Sequence, residues 1–279
     1  MLWVASCDRD RAPAADIGKS PTAAPAPPAA SPPAVALADI AESDPRYVIG
    51  ISFPSGIGRY PGLAAELKRY ADAARAELMT AAAGLDGPPE TGPYDLTLTF
   101  TELLSTPHLV TIGAEGSTYT GGAHGLPLIA RFNWLTREQR LLTAAELIPQ
   151  PQGWAAVAPV IRAGLRAALE QRLADDDVPA ADRKLLAEQV GKTIEDGTRP
   201  VASNFAQFEP VVDRSGLITA LRFVFPPYQV AAYADGTQKV EVPAHVLRPH
   251  VAPAYRPLFS TAPPPAPVEA APADAVPSG

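Results

Sequence analysis

A short segment rich in glycine and carrying one histidine is the first place in the sequence where chemistry could occur. Residues 119–125 have the sequence YTGGAHG and supply the candidate ligand-contacting residues Tyr119, Gly121, Gly122, His124 and Gly125. An imidazole can transfer a proton, bind a metal ion or make a hydrogen bond. Catalysis would also require a nucleophile and an orienting carboxylate, and the sequence designates neither of them. The glycine spacing differs from that of phosphate-binding loops, and no amphipathic helix follows directly.

The other residue types that bind metals do not form a recognisable site. His108, His245 and His250 include no pair four residues apart on a helix, and no cysteine lies near them in the sequence. The three aspartates at 175–177 lack the glycine hinge of a calcium loop, which indicates a solvated turn. The sequence therefore predicts no metal site, no cofactor and no catalytic residue. The favoured interpretation of residues 119–125 is a strand connection, and the alternative is a loop that faces a ligand.

Two tyrosines closer to the C-terminus form a second candidate ligand-binding surface. Tyr228 and Tyr233 lie in PPYQVAAYADG, a segment predicted to be a strand that closes the sheet together with KVEVP. A tyrosine combines an apolar ring with a polar hydroxyl, which suits a binding surface. The favoured interpretation is that both rings pack against neighbouring residues of the sheet, and the alternative is that they bind a ligand.

Overall charge and composition exclude one class of partner and indicate an unusual distribution of proline. The 279 residues carry a net charge of −7 and the isoelectric point is about 5.2. Nucleic-acid binding requires a basic surface, so we expect no nucleic-acid partner. The 33 prolines are concentrated at the two ends of the chain, which predicts a Pro/Ala-rich tether over residues 8–44 and a disordered tail over 261–279.

The single cysteine lies in a sequence typical of a bacterial lipidation site. Val-Ala-Ser precedes Cys7, as in a lipobox, where the cysteine becomes the lipidated N-terminus. Signal peptides have a basic segment and an apolar segment of roughly 7–15 residues. We therefore interpret residues 1–7 as the remnant of a lipoprotein signal peptide whose true start lies further upstream. The alternative is a chance cysteine in a cytosolic tail. The resulting prediction is a lipoprotein of the bacterial cell envelope, anchored in a membrane through Cys7 and facing the periplasm, without a transmembrane helix.

Hydrophobic periodicity between the two ends predicts the fold class. Alternating apolar residues predict strands over residues 46–54, 94–103, 108–120, 126–136, 205–213 and 217–225. Apolar residues spaced three and four apart predict amphipathic helices over 61–83, 153–173 and 180–195. Thr143 and Glu146, three positions apart, predict a capping box for a short helix through Ile148. Strands cluster instead of alternating with helices. We therefore expect an α+β fold, with a largely antiparallel sheet and the amphipathic helices packed on one face.

Together, YTGGAHG and FPPYQVAAYADGTQKVEVP resemble the RsiV-type extracellular domain. This is the domain-of-unknown-function 3298 family with its companion 4163 module, found in a lysozyme-sensing anti-sigma factor and in a peptidoglycan deacetylase of the PdaC type. The resemblance implies a first module over residues 45–125, a second over 126–260, and no catalytic activity. In the anti-sigma relative the domain binds lysozyme, and in the deacetylase relative catalysis belongs to a separate domain.

The expected function is therefore that of a non-catalytic envelope lipoprotein whose periplasmic domain binds lysozyme or peptidoglycan. One alternative is a hydrolase that acts on cell-wall sugar, which would require paired carboxylates, with Asp95, Glu102 and Glu115 as the candidates. The other alternative is a structural or assembly lipoprotein that has no soluble ligand.

Overall fold

The computed structural model describes residues 37–90, 92–175 and 178–262. The predicted lipidation site Cys7, most of the predicted tether and nearly all of the predicted tail lie outside these ranges. None of the helices in the described ranges combines the length and the apolar run needed to cross a bilayer.

Nine strands and five helices make up the described chain, and they confirm the predicted α+β class. The strands are β1 (Ile40–Asp44), β2 (Tyr47–Ser52), β3 (Tyr94–Ser105), β4 (Leu109–Tyr119), β5 (Leu126–Leu135), β6 (Arg140–Leu141), β7 (Phe208–Val212), β8 (Ile218–Phe225) and β9 (Gln238–Pro243). The helices are α1 (Pro61–Ala83), α2 (Ala144–Leu147), α3 (Pro151–Asp175), α4 (Ala180–Gly197) and α5 (Ala244–Leu247).

The strands form two sheets where the sequence pattern led us to expect one. The first six follow one another in the order β1 to β6, and the last three form a separate sheet in the order β7-β8-β9. Every neighbouring pair is antiparallel except β2 and β3, which run parallel and are connected through α1. The expectation of mostly antiparallel pairing is therefore confirmed.

Strand β1 corrects the predicted boundary of the tether, because it occupies the last five residues assigned to that segment. It pairs along its whole length with β2, from Ile40 opposite Ile51 to Asp44 opposite Tyr47. Its side chains alternate between half-buried and exposed. Five residues with a single strongly apolar side chain give too weak an alternation to stand out beside a Pro/Ala-rich segment.

Helix α1 covers one face of the six-stranded sheet and builds the first core. Pro61 lies in its first turn, where the missing N–H has no partner to lose, and the helix ends at Ala83 before Gly84. Leu63 and Leu67 are fully buried and pack against a core that includes Phe100 and Phe132. Because this core holds side chains from both β3 and β5, residues on both sides of the predicted module join at 125/126 share it. The division into two modules stays a prediction.

The three-stranded sheet packs against α3 to form the second core. Trp154 and Ile161 on α3 are buried together with Phe223 on β8. The predicted capping box precedes this region: the Thr143 hydroxyl accepts a hydrogen bond from the Glu146 N–H at the start of α2, and the Glu146 carboxylate accepts one from the Thr143 N–H.

The segment predicted as the strand PPYQVAAYADG is an irregular loop, and this prediction was wrong. Residues 226–237 contain turns and one 3-10 turn, Tyr233–Asp235, and no ladder pairing. Pro226 and Pro227 have no backbone N–H to donate to a neighbouring strand, and Tyr228 has a positive φ of 73°. These two properties together prevent a regular strand at the point where β8 ends.

Candidate functional site

The two candidate ligand-binding segments meet, although they are far apart in the sequence. The ring of His124 stacks on the ring of Tyr233, with centroids 4.1 Å apart and planes inclined by 10°. The Tyr228 hydroxyl lies 2.8 Å from Nε2 of His124, a hydrogen bond between residues 104 positions apart. The rings of Tyr228 and Tyr233 lie 5.6 Å apart. We call His124, Tyr228 and Tyr233 the aromatic cluster.

The connection between β4 and β5 positions His124 through backbone angles that favour glycine. Gly121 and Gly122 have φ values of 94° and 105°. The Tyr119 hydroxyl donates a hydrogen bond to the Gly122 carbonyl at 3.1 Å, so this tyrosine braces the loop. A side chain at Gly125 would place its Cβ 3.1 Å from the Thr118 carbonyl oxygen. These four candidate residues therefore support the loop, and His124 alone extends from it to the aromatic cluster.

The loop over residues 226–237 is anchored on both sides of the cluster tyrosines. The Gln229 side-chain amide donates hydrogen bonds to the carbonyls of Gly197 at 3.0 Å and Asn204 at 2.8 Å. Val230 is fully buried in the second core. The Asp235 carboxylate accepts a hydrogen bond from the Ala232 N–H at 3.1 Å and so closes the turn that carries Tyr233. The tyrosines are thus held by a fixed backbone.

Tyr228 adopts a backbone conformation that non-glycine residues rarely take. Its φ of 73° lies in the left-handed region, and its N–H donates a hydrogen bond to the Ala231 carbonyl at 3.0 Å. This conformation costs about 1–2 kcal/mol for an L-residue with a side chain. The side chain is 51% exposed, so it gains little from burial. The side chain instead contacts His124 and Tyr233.

The aromatic cluster offers three ring systems with polar atoms. Its groups are an exposed imidazole, a half-exposed phenol and a partly buried phenol, which offer ring faces and hydrogen-bonding atoms. Within the described ranges, no three His, Cys, Asp or Glu side chains lie close enough together to hold a metal ion.

A chain of alternating charges between the two sheets is a feature that the sequence pattern did not reveal. Arg131 on β5 has a fully buried side chain, and its guanidinium bonds Glu115 on β4 at 2.6 Å and Glu209 on β7 at 2.7 Å. Arg222 on β8 bonds the same Glu209 at 3.1 Å and Glu241 on β9 at 2.6 Å. We call these five residues the charge ladder. It connects strands of the first sheet to strands of the second.

The carboxyl group of Glu209 is the most enclosed acid of the ladder. Burial works to raise its pKa, but the hydrogen bond and the positive charge of Arg131, aided by Arg222, outweigh burial and hold the pKa below its usual value. Asn133 on β5 also bonds the second sheet, because its side-chain amide donates a hydrogen bond to the Phe208 carbonyl on β7 at 2.9 Å.

The three carboxylates proposed for a hydrolase do not face one another. Glu115 borders a groove of about 580 Å³, and it is the only carboxylate among the described residues that line that groove. Glu102 on β3 lies opposite Ile112 on β4, so its side chain faces the other side of the sheet from Glu115. There it forms an ion pair with Arg59 at 2.7 Å. Asp95 is opposite Tyr119, four residues from Glu115 along β4, a spacing of roughly 13 Å. Glycosidase carboxylates lie about 5–9.5 Å apart.

Comparison with known proteins relates the second half of the chain to one family. Residues 155–245 match the family model described as "Protein of unknown function (DUF3298)". The match runs from within α3 into α5, so it includes Tyr228 and Tyr233 and excludes His124. None of the curated proteins matches the chain.

Two solved structures of DUF3298 proteins are similar to the chain. One, from Pseudomonas aeruginosa PAO1, has a TM-score of 0.51 and 17% sequence identity, over 80% of this chain and 95% of that one. The other, from Bacteroides fragilis NCTC 9343, has a TM-score of 0.46 and 15% identity, over 75% of this chain and 85% of that one. The first similarity shows a shared fold. The companion module and the RsiV-type relationship stay predictions, whereas the match of residues 155–245 to the DUF3298 family model is a finding.

Proposed function

We propose that this protein is a non-catalytic binding protein of the bacterial cell envelope, and that the aromatic cluster is its ligand-binding surface. The observation that carries the proposal is the contact between His124 and Tyr228, which joins two irregular loops at an exposed position. Binding residues are often held on loops by a rigid scaffold, and here each loop is fixed by its own hydrogen bonds.

The strained backbone of Tyr228 supports a role in binding over a role in stability. Burial of the ring of a core tyrosine stabilises the folded state, but the side chain of Tyr228 is half exposed and gains little in this way. Tyrosines held in a fixed orientation at a surface lose little conformational entropy when a ligand covers them, and they are enriched among residues that dominate binding energy. The left-handed conformation therefore orients a recognition group at a cost to folding.

The ligands that we propose are peptidoglycan or a lysozyme-like protein. Lysozyme binding comes from the resemblance to the anti-sigma relative. Sugar rings have apolar faces edged by hydroxyls, which match the ring faces and polar atoms of the aromatic cluster. A net charge of −7 would also accelerate encounter with a basic protein. Attachment to the envelope rests on the lipobox-like sequence before Cys7.

The geometry supports a hydrolase less well than it supports a binding protein. Glu102 and Glu115 face opposite sides of the first sheet, and the Glu115 carboxylate is engaged by Arg131. A structural lipoprotein without a ligand would give no reason for an exposed, strained tyrosine that contacts a second loop.

A binding assay with the full chain tests the proposal. We expect saturable binding to purified peptidoglycan or to c-type lysozyme, and at least a tenfold loss of affinity in Tyr228→Ala and Tyr233→Ala. The control is Leu185→Ala, because Leu185 on α4 is 57% exposed and its loss removes comparable apolar surface. If both tyrosine variants bind as tightly as the control, the aromatic cluster is not the binding surface. If the wild-type chain binds neither probe, the ligand assignment is wrong.

A further inference from the structure

A cavity near the C-terminal end of the described chain is separate from the aromatic cluster and has a different chemical character. It has a volume of about 310 Å³, and its polar lining comes from His245, Arg248, Arg256, Ser260 and Thr261. The groups around it come from α5 and from the irregular segment that follows α5. This volume lies at the lower end of the range of about 300–1,000 Å³ that is usual for small-ligand sites.

The lining of the cavity is cationic in a protein whose net charge is negative. Two guanidinium groups and one imidazole line it, and no carboxylate of the described residues does. Neither Arg248 nor Arg256 belongs to an ion pair in residues 37–90, 92–175 and 178–262, although many other arginines in those ranges do. Two arginines beside one cavity repel each other unless an anion lies between them.

Arg248 has a buried donor without an acceptor in the described part of the chain. Its Nε atom is inaccessible to solvent and makes no hydrogen bond there. A buried donor on a charged group that stays unsatisfied destabilises the folded state. Such groups are rare in folded proteins. Because Nε is closed to solvent, a ligand in the cavity would be held by the Nη groups of Arg248.

The neighbouring groups are positioned so that donors remain for a ligand. Arg256 is fixed by its Nε, which donates to the Val251 carbonyl at 2.9 Å, and by Nη2, which donates to the Pro249 carbonyl at 3.4 Å. The hydrogens of Nη1 and the second hydrogen of Nη2 remain available. Ser260 is buried, and its Oγ accepts a hydrogen bond from the Ala262 N–H at 3.1 Å. The Ser260 hydroxyl hydrogen can therefore be donated to a further acceptor.

We propose that this cavity binds a phosphate group, held by Arg248, Arg256 and the Ser260 hydroxyl. A carboxylate has two oxygens, which one guanidinium fork satisfies. Two guanidiniums, an imidazole and a hydroxyl match the greater charge and the larger number of oxygens of a phosphate. The phosphate belongs either to a soluble molecule or to a lipid headgroup. The site does not depend on the aromatic cluster.

Titration of the full chain with inorganic phosphate tests this site. We expect saturable binding by calorimetry, a rise in the unfolding temperature with phosphate, and no comparable effect of acetate at matched ionic strength. Vesicles of phosphatidylglycerol compared with vesicles of phosphatidylcholine distinguish the sources. Binding to free phosphate indicates a soluble ligand, and binding to phosphatidylglycerol vesicles alone indicates a headgroup. Either result supports the site, and binding to neither probe overturns it.

The variant that decides the question is Arg248→Met, with Arg214→Met as its control. Arg214 is an exposed arginine in the turn between β7 and β8, so the control removes the same charge elsewhere. We expect Arg248→Met to weaken phosphate or vesicle binding at least tenfold and to unfold at the same temperature as wild type or higher, because it removes an unsatisfied donor. Equal weakening in both variants would indicate non-specific attraction and would refute the site.

Discussion

Replacing Arg131 by methionine tests whether the charge ladder holds the two sheets together. The substitution keeps a long side chain but removes the bonds to Glu209 at 2.7 Å, to Glu115 at 2.6 Å and to the Ala130 carbonyl at 2.9 Å. Glu115 is 56% exposed, so water replaces its lost partner. Glu209 is only 8% exposed, so the loss of its bond to Arg131 determines how far the free energy of unfolding falls.

Removal of one partner from a buried ion pair destabilises a protein by about 3–5 kcal/mol. Arg222 remains 3.1 Å from the Glu209 carboxylate, so we expect the lower end of that range, about 3 kcal/mol. For a body of this size, the midpoint of thermal unfolding should fall by about 6–12 °C. Urea unfolding should show a lower midpoint with an unchanged slope.

Arg59→Met is the matched control for this experiment. Arg59 bonds Glu102 at 2.7 Å, but the two side chains are 50% and 32% exposed. An ion pair in that setting contributes no more than about 1 kcal/mol. The double substitution of Arg131 and Glu209 by methionine should recover part of the lost stability, because no buried carboxylate is left unpaired. The reasoning is refuted if Arg131→Met and Arg59→Met have the same small effect.

Four other substitutions probe the loops, the acid response and the predicted membrane anchor. Gly122→Val should lower the unfolding free energy by about 1–3 kcal/mol, because φ is 105° there; an unchanged melting temperature would show that the loop tolerates a side chain. Gly197→Ala should destabilise by about 1–3 kcal/mol and weaken binding at the aromatic cluster, because its Cβ would lie 1.9 Å from the Gln229 carbonyl oxygen; an unshifted denaturation curve would contradict this. The lowered pKa of Glu209 adds stability above about pH 4.3, the pKa of an unfolded glutamate, and this contribution disappears as pH falls through the folded pKa. Glu209→Gln should therefore make the unfolding free energy less dependent on pH in the acid range, as measured by unfolding at successive pH values. Cys7→Ala, expressed from the native locus, should leave the protein in the fraction without membranes, and flotation of the variant with membranes would disprove lipidation at Cys7.

Local patterns in the sequence predicted those features that depend on neighbouring residues. The first turn of α1 follows from Pro61 and the capping box of α2 from Thr143 and Glu146, because both signals depend on spacings of a few residues. Strand β3 follows from the alternation of apolar residues with threonines, because a half-buried strand requires that period. The three residues of the aromatic cluster were also identified from the sequence, but as two separate surfaces.

Features that depend on distant residues could not be predicted from those patterns. The bond between Arg131 and Glu209 spans 78 positions, and Arg131 occupies the polar side of an alternating strand, where exposure is the ordinary expectation. Its burial arises only because the second sheet approaches that face. The left-handed conformation of Tyr228 was equally hidden, because tyrosine carries no preference for it.

The composite origin of the aromatic cluster limits how this protein can be divided or recombined. His124 comes from the connection between β4 and β5, whereas its two tyrosines come from the segment that matches the family model. If related proteins exchanged only one of these two parts, His124 from one protein would face tyrosines from another protein, and the two loops would not have evolved together. The unit that can be inherited, shuffled or grafted with the aromatic cluster intact is therefore the whole body from β1 to α5.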